Sequence, residues 1–302
     1  MNKIKLTKKQ ALITASCLLL LCILAAFALC EDLKTVSYTV DSDKINGNIR
    51  IAVISDLHSS KFGSGQSDLI AAIDKSDPDV VLLTGDIFEE DRDHENVKAL
   101  LSHIGKKYTC FFVTGNHEYR FSSDELYKLR SLVRSYGVAI LDGDSTVLTV
   151  NGENIRIAGV NDPCGDNFVE LDEYGNAIER PRFDEYGNAI ERPRFDESLT
   201  RLSNVASDGI FTVLMSHRPD YFEKYASLGF DLTVSGHAHG GQIVIPGLVN
   251  GLFAPDQGLF PEYAGGRYEI GESVMIVSRG LCRMAFRPRV FNRPELVIID
   301  VK

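Results

Sequence analysis

Ile49–His58 reads IRIAVISDLH, a short apolar, β-branched run that breaks off at Ser55-Asp56-Leu57-His58. Such a run reads as a buried strand, and this one ends on a carboxylate and an imidazole. The same grammar recurs in Asp79–Asp86 (DVVLLTGD), Cys110–Glu118 (CFFVTGNHE), Phe211–Asp220 (FTVLMSHRPD) and Asp231–His239 (DLTVSGHAH). Helical periodicity appears between them, over Ser67–Asp74, Asn96–Ile104 and Ser122–Tyr136, and Ser122 stands three residues before Glu125 as a capping box. Further strand-like runs lie at Val36–Val40, Val138–Leu141, Val147–Val150, Ile155–Val160, Ser273–Val277 and Leu296–Val301. Early alternation of strand and helix, followed by many strands, predicts an α/β body whose sheets are covered by helices. No Pro/Gly/Ser linker divides it, so one domain is expected over residues 33–302.

The 302 residues are 44% hydrophobic and 25% charged, ordinary for a folded domain. Residues 1–10 carry Lys3, Lys5, Lys8 and Lys9 and no acid, which leaves −14 of charge on residues 11–302. A body this acidic lacks the basic face that sequence-blind nucleic-acid binding needs, so no nucleic-acid partner is expected. Ala11–Cys30 (ALITASCLLLLCILAAFALC) holds no formal charge and as a helix spans about 30 Å, the thickness of a hydrocarbon core. With four lysines before it and Glu31 and Asp32 after it, the positive-inside rule places the body outside the cytoplasm. Residues 1–32 read as a basic tail and signal-anchor helix of a single-pass cell-membrane protein. A signal peptide cleaved near Ala28, releasing the body, is the alternative.

Ligands of α/β folds bind outside the carboxyl ends of strands. Side chains from five such ends can therefore meet. The donor set suits borderline divalent metals such as Mn, Fe and Zn. Seven ligands exceed what one tetrahedral ion needs. Two ions about 3.5–4 Å apart, sharing a carboxylate, fit better and can activate water and clamp a phosphate. Each motif alone is weak, and the ordered set carries the reading. His94 and His103 lie in or beside a helical stretch without such companions and read as solvated surface residues. The six cysteines form no C-x-x-C pair, and Cys110, Cys164 and Cys282 stand singly.

The ordered motifs D-x-H (Asp56, His58), G-D (Asp86), G-N-H-E (Gly115–Glu118), His217 and G-H-x-H (Gly236–His239) resemble the calcineurin-like metallophosphoesterase superfamily. The stretches His217–Asp220 (HRPD), His237–Ile243 (HAHGGQI), Leu252–Tyr263 (LFAPDQGLFPEY) and Pro288–Ile298 (PRVFNRPELVI) resemble its bacterial, membrane-attached YkuE/YaeI-like phosphodiesterase branch. The resemblance implies a four-layer α/β/β/α sandwich preceded by one transmembrane helix. It implies that Asp56, His58, Asp86 and His239 hold one divalent ion, and that Asp86, Asn116, His217 and His237 hold a second, with Asp86 bridging. His117 would give a proton to the leaving group or orient the phosphate. Glu118 departs from the branch, which more often has Asp there. The implied activity is P–O hydrolysis by a metal-bridging hydroxide, on a phosphodiester or pyrophosphate of a lipid or nucleotide-sugar type. A phosphomonoesterase or protein phosphatase, or a non-catalytic metal-binding scaffold, are the alternatives. The oligomeric state is not legible.

Asp172–Phe183 (DEYGNAIERPRF) is repeated unchanged as Asp184–Phe195, and we read residues 172–195 as a surface-loop insertion. Residues 267–293 carry six arginines against two acids. They read as a solvated face with structural ion pairs, with a patch for an anionic substrate or lipid head groups as the sharper alternative. Pro246–Pro261 (PGLVNGLFAPDQGLFP) reads as a loop folded onto the core, with an apolar wall that grips an acyl chain or dips into a bilayer as its alternative.

Overall fold

The computed structural model describes residues 7–167, 194–283 and 289–302, with the backbone of four two-residue strands between 170 and 190. The 172–195 repeat lies almost wholly outside the described residues. The chain opens with α1 (Lys8–Ala28), β1 (Lys34–Val40) and β2 (Ile49–Ile54), then α2 (Ser67–Ser76) and β3 (Val80–Thr84). It continues through α3 (Glu95–Lys107), β4 (Thr109–Val113), α4 (Ser123–Ser135), β5 (Ala139–Ile140), β6 (Asp144–Val150) and β7 (Glu153–Gly159). After the repeat come α5 (Phe195–Ala206), β8 (Phe211–Met215), α6 (Phe222–Ser227), β9 (Leu232–Ser235), β10 (Gly266–Ile270), β11 (Ser273–Val277) and β12 (Glu295–Val301).

Two six-stranded sheets form, in the orders β1-β12-β2-β3-β4-β5 and β10-β11-β9-β8-β7-β6. In the first, β2 to β5 run parallel, and β12 is antiparallel to β2 but parallel to β1. In the second, β7, β8, β9 and β11 run parallel, with β6 and β10 antiparallel at the edges.

Three apolar clusters mark three interfaces between four layers. Ala52, Ile54, Leu83 and Phe112 meet Leu69, Ile73, Leu101 and Leu126, sealing the first sheet to α2, α3 and α4. Ile51, Val53, Leu82 and Phe111 meet Ile157, Val213, Met215 and Val234 between the sheets. Leu214, Met275 and Val277 meet Leu199, Leu202, Phe222 and Tyr225 under α5 and α6. Neighbouring residues of β2 thus enter different clusters, as the two-residue period of a strand requires. Both faces are buried, which is why the strand reads as a continuous apolar run rather than an alternating one. The architecture is the four-layer α/β/β/α sandwich.

Local expectations are met with shifted ends. The Ser122–Glu125 capping box is present at α4. α2 runs to Ser76, β6 begins three residues early at Asp144, and the strand expected at 138–141 shrinks to β5. Among the described residues, α1 is the helix long and apolar enough to cross a membrane by length and composition.

Candidate metal centre

Each expected residue lies just past the carboxyl end of a parallel strand: β2, β3 and β4 of the first sheet, β8 and β9 of the second. Main-chain bonds lace these ends together. Asp56 N–H donates to Gly85 O at 3.1 Å and His58 N–H to Asp86 O at 2.9 Å. His117 N–H donates to Asp86 Oδ1 at 2.8 Å and His237 N–H to Asp56 Oδ1 at 2.9 Å.

The close approach of the loops explains two glycines. A Cβ on Gly85, at φ +88°, would lie 2.6 Å from Gly115 N and 2.7 Å from His217 Nδ1. A Cβ on Gly236 would lie 2.4 Å from Asp56 Oδ2. Asp56, His58, Asp86, His237 and His239 all take left-handed φ, between 44° and 66°. That conformation costs about 1–2 kcal/mol per non-glycine residue, so the packed strand ends must enforce it.

The ligand atoms of Asp56, His58, Asp86 and His239 lie within 4.8 Å of one another, as do those of Asp86, His217 and His237. Asp86 belongs to both groups. Its Oδ2 faces His217 Nε2 at 3.2 Å, His58 Nε2 at 3.6 Å and His117 Nε2 at 3.9 Å. Asn116 lies on the β4 loop between Gly115 and His117, both of which approach Asp86, and its Oδ1 is buried.

Several partners were not foreseen from sequence. Glu89 accepts from His58 Nδ1 at 2.5 Å and from His117 Nδ1 at 3.0 Å, which leaves the Nε2 of each ring for the cluster. Such outer carboxylates orient and activate metal-binding imidazoles. Its only sequence signal is an acid three residues after Asp86. Glu118 is buried and accepts from the main-chain N–H groups of Asp86, Ile87, Phe88 and Gly115, at 2.9, 2.8, 3.1 and 2.7 Å. His237 Nδ1 lies 3.2 Å from His217 Nε2, and its Nε2 faces Asp256 Oδ2 at 2.8 Å. Arg218 pairs with Asp162 at 2.5 Å and with Asp256. Cys282 also approaches His58 and His239, and burial pushes its thiol up to about 12.

Burial alone would raise the Asp86 carboxyl, but His217, His58 and His117 hold it well below the usual range. Burial would lower His217, whereas Asp86 and Asp56 carry it up to about 10. His239 is brought down to about 3, chiefly by burial. His117 is raised against burial by Glu89 and Asp86. Glu118 is raised by burial and by the charge of Asp86.

Two carboxylates share one buried site, and Asp56 Oδ2, His58 Nε2 and Asn116 Oδ1 lack hydrogen-bond partners there. Unpaired buried polar atoms are costly, and a cation satisfies them together. The donor set is hard-to-borderline oxygen and nitrogen, so these residues fit divalent metal.

Two expectations away from the centre are corrected. His94 is not a solvated surface residue. It is half-buried beside Phe88 and Phe121 and bonds Glu89 O at 3.0 Å. His103 is likewise half-buried, on Asp74 at 3.0 Å. Neither enters the cluster. The loop 246–261 does not fold wholly onto the core: Ala254 is buried, but Leu248, Phe253, Leu259 and Phe260 stay exposed. In the arginine-rich segment an expected ion pair is present, Arg267 Nε on Glu269 Oε1 at 2.7 Å. Arg267, Arg279, Arg283, Arg289 and Arg293 each bond a main-chain carbonyl. Arg287 lies outside the described residues.

A model of the calcineurin-like phosphoesterase family matches residues 49–241, well over half of the chain, and the chain belongs to that family. It is a metal-dependent phosphoesterase, and its cofactors are two divalent ions. It is 26% identical over 279 residues to the uncharacterized metallophosphoesterase YkuE of Bacillus subtilis, covering 89% of this chain and 86% of that one. It is 25% identical to the phosphodiesterase YaeI of Escherichia coli, covering 83% and 82%. A transmembrane protein with a metallophosphoesterase domain from Bos taurus is 24% identical, over 82% of this chain and 52% of that one.

Proposed function

We propose that this chain is a membrane-anchored phosphodiesterase whose catalytic body, residues 33–302, lies outside the cytoplasm. The observation that carries the catalytic reading is the pair of ligand groups joined through Asp86. Asp56, His58, Asp86 and His239 hold one ion; Asp86, Asn116, His217 and His237 hold the other. When bound, the ions supply positive charge to the phosphate and activate water. No protein nucleophile is needed. Glu89 fixes the His117 ring through Nδ1 and favours its protonated form, so Nε2 carries a proton towards the leaving-group oxygen. Glu118 holds the β3 and β4 loops in register around Asp86. The likeness to a protein named as a phosphodiesterase favours a diester or pyrophosphate over a monoester. The apolar side chains around 248–260 favour a lipid-type substrate. The 21 residues of α1 and the four lysines at its start support an uncleaved anchor with residue 1 in the cytoplasm.

The test uses the full chain in detergent micelles, with metal content measured and hydrolysis of bis(p-nitrophenyl) phosphate compared with p-nitrophenyl phosphate in added manganese. Faster diester cleavage is expected. Faster monoester cleavage would transfer the assignment to a phosphomonoesterase. Two bound metals with neither substrate hydrolysed, nor any lipid phosphodiester, would leave a metal-binding scaffold.

A further inference from the structure

The end of α1 is bonded to the catalytic body without a free tether. Phe291 N–H donates to Ala28 O at 2.7 Å, Arg283 Nη2 to Glu31 O at 2.5 Å and Arg293 Nε to Asp32 O at 3.0 Å. Lys34 N–H then donates to Pro294 O at 2.9 Å, and β1 lies along β12 from its first residue. The same segment grips the metal centre. Asn292 Nδ2 donates to His239 O at 2.7 Å, and Val244 N–H donates to Val290 O at 2.9 Å. Four consecutive residues, 290–293, therefore connect the helix end to the loop that carries His239.

Apolar side chains project from this connected backbone. Ile245, Leu248, Phe253, Leu259, Phe260 and Phe291 are between 42% and 84% exposed. Leu252 N–H donates to Gly241 O and Phe260 N–H to Leu252 O, which folds this stretch back on the metal loop. Phe260 and Phe291 are held at φ +55° and +50°, a conformation bulky side chains seldom adopt. Exposed apolar side chains on soluble proteins are usually scattered, whereas these six ride on one hydrogen-bonded backbone next to an apolar helix end.

We propose that this face is a second membrane contact, seated in the bilayer surface from which α1 emerges, and that it holds the metal centre against the lipid head groups. The inference rests on the proposal that α1 spans the membrane. The body is acidic overall and the side chains that project from this face are apolar, so contact comes chiefly from apolar insertion.

The chain has no tryptophan, so a single introduced one reports without background. The full chain is reconstituted in phosphatidylcholine nanodiscs with or without bromines on the acyl chains. Leu248→Trp and Phe260→Trp report on the face, Leu20→Trp on α1, and Tyr127→Trp on the exposed side of α4. Residues inserted about 5–10 Å into the boundary lie within reach of bromine. Bromolipid is expected to reduce emission at 20, 248 and 260 and to leave 127 unchanged. Quenching at 20 without quenching at 248 and 260 overturns the contact and leaves the anchor standing. No quenching at 20 overturns the anchor and this inference with it. Protection of 248 and 260 from aqueous acrylamide without bromolipid quenching assigns the face to another protein surface, a second copy included, and also overturns it. Hydrolysis by the same samples reads the catalytic proposal separately.

Discussion

Glu118 accepts four buried main-chain N–H groups with one carboxylate, and those donors belong to the two loops that carry Asp86 and Asn116. A shorter Asp would have to reach the same donors with one methylene fewer. Glu118→Gln turns one acceptor into an N–H that faces other N–H groups. A buried donor left unpaired costs about 1–3 kcal/mol. The variant is expected to melt several degrees lower and to lose bound metal, as read by calorimetry and elemental analysis. His117 differs from His58, which shares its Glu89 tie: its Nε2 stands farther from Asp86 Oδ2, 3.9 Å against 3.6 Å, and its side chain is the more open to solvent. His117→Ala is expected to keep both metals and lose about 10²–10⁴ in turnover. Asp86→Asn removes the shared carboxylate and is expected to lose metal and turnover together. Full activity in the His117 variant would end its role as proton donor. His58, His117, His217, His237 and His239 were legible one by one because each follows an apolar run. Glu89 was not, since an acid three residues past Asp86 looks like any loop residue until two imidazoles arrive beside it.

Helices and strands of the core were legible wherever both faces are buried or the helical period is long. α5 was missed although Phe195, Leu199, Leu202 and Ala206 keep a helical spacing, because it begins on the last residue of the tandem repeat. α6 is six residues long, too short for a period to show. Side-chain ties between elements were invisible for a different reason: they join residues close only after packing. Asp74 on α2 takes bonds from His103 and Lys107 of α3 and from Tyr108. Burial would raise its carboxyl, but these bonds hold it well below the usual carboxylate range. The folded value lies below the unfolded one, near 3.9, so this contribution is complete above about pH 4 and fades as pH falls further. The pair is partly exposed, which limits it to about 1 kcal/mol. Asp74→Ala is expected to lower Tm by about 2–4 °C at pH 7. The gap to the parent should close as pH is lowered from 4, and a gap that stays constant would refute the linkage.

At the scale of the molecule, two sheets bring five strand ends to one edge, and the cost is four carboxylates, Asp56, Asp86, Glu89 and Glu118, buried together. Chelation is expected to abolish hydrolysis and lower Tm, with both restored by added divalent metal. Saturation at about 100 times Kd contributes about 2.7 kcal/mol per site. In the metal-free protein His217 keeps its proton up to about 10. Metal uptake displaces that proton, so apparent affinity is expected to rise up to about tenfold per pH unit through the neutral range. Titration calorimetry in buffers of different ionisation enthalpy would detect the released proton. The amino-acid sequence by itself determined the strand-end motifs, the acidic body, the apolar amino-terminal helix and the family, because each is written in a short run of neighbours. Only the tertiary structure decided that Glu89 joins two imidazoles, and that Phe291 and Asn292 tie the end of α1 to the loop of His239. Those partners are far apart along the chain; His237 and Asp56 are separated by 181 positions. Their approach depends on sheet order and register, set by burial of both faces of each sheet, which no local run of residues encodes.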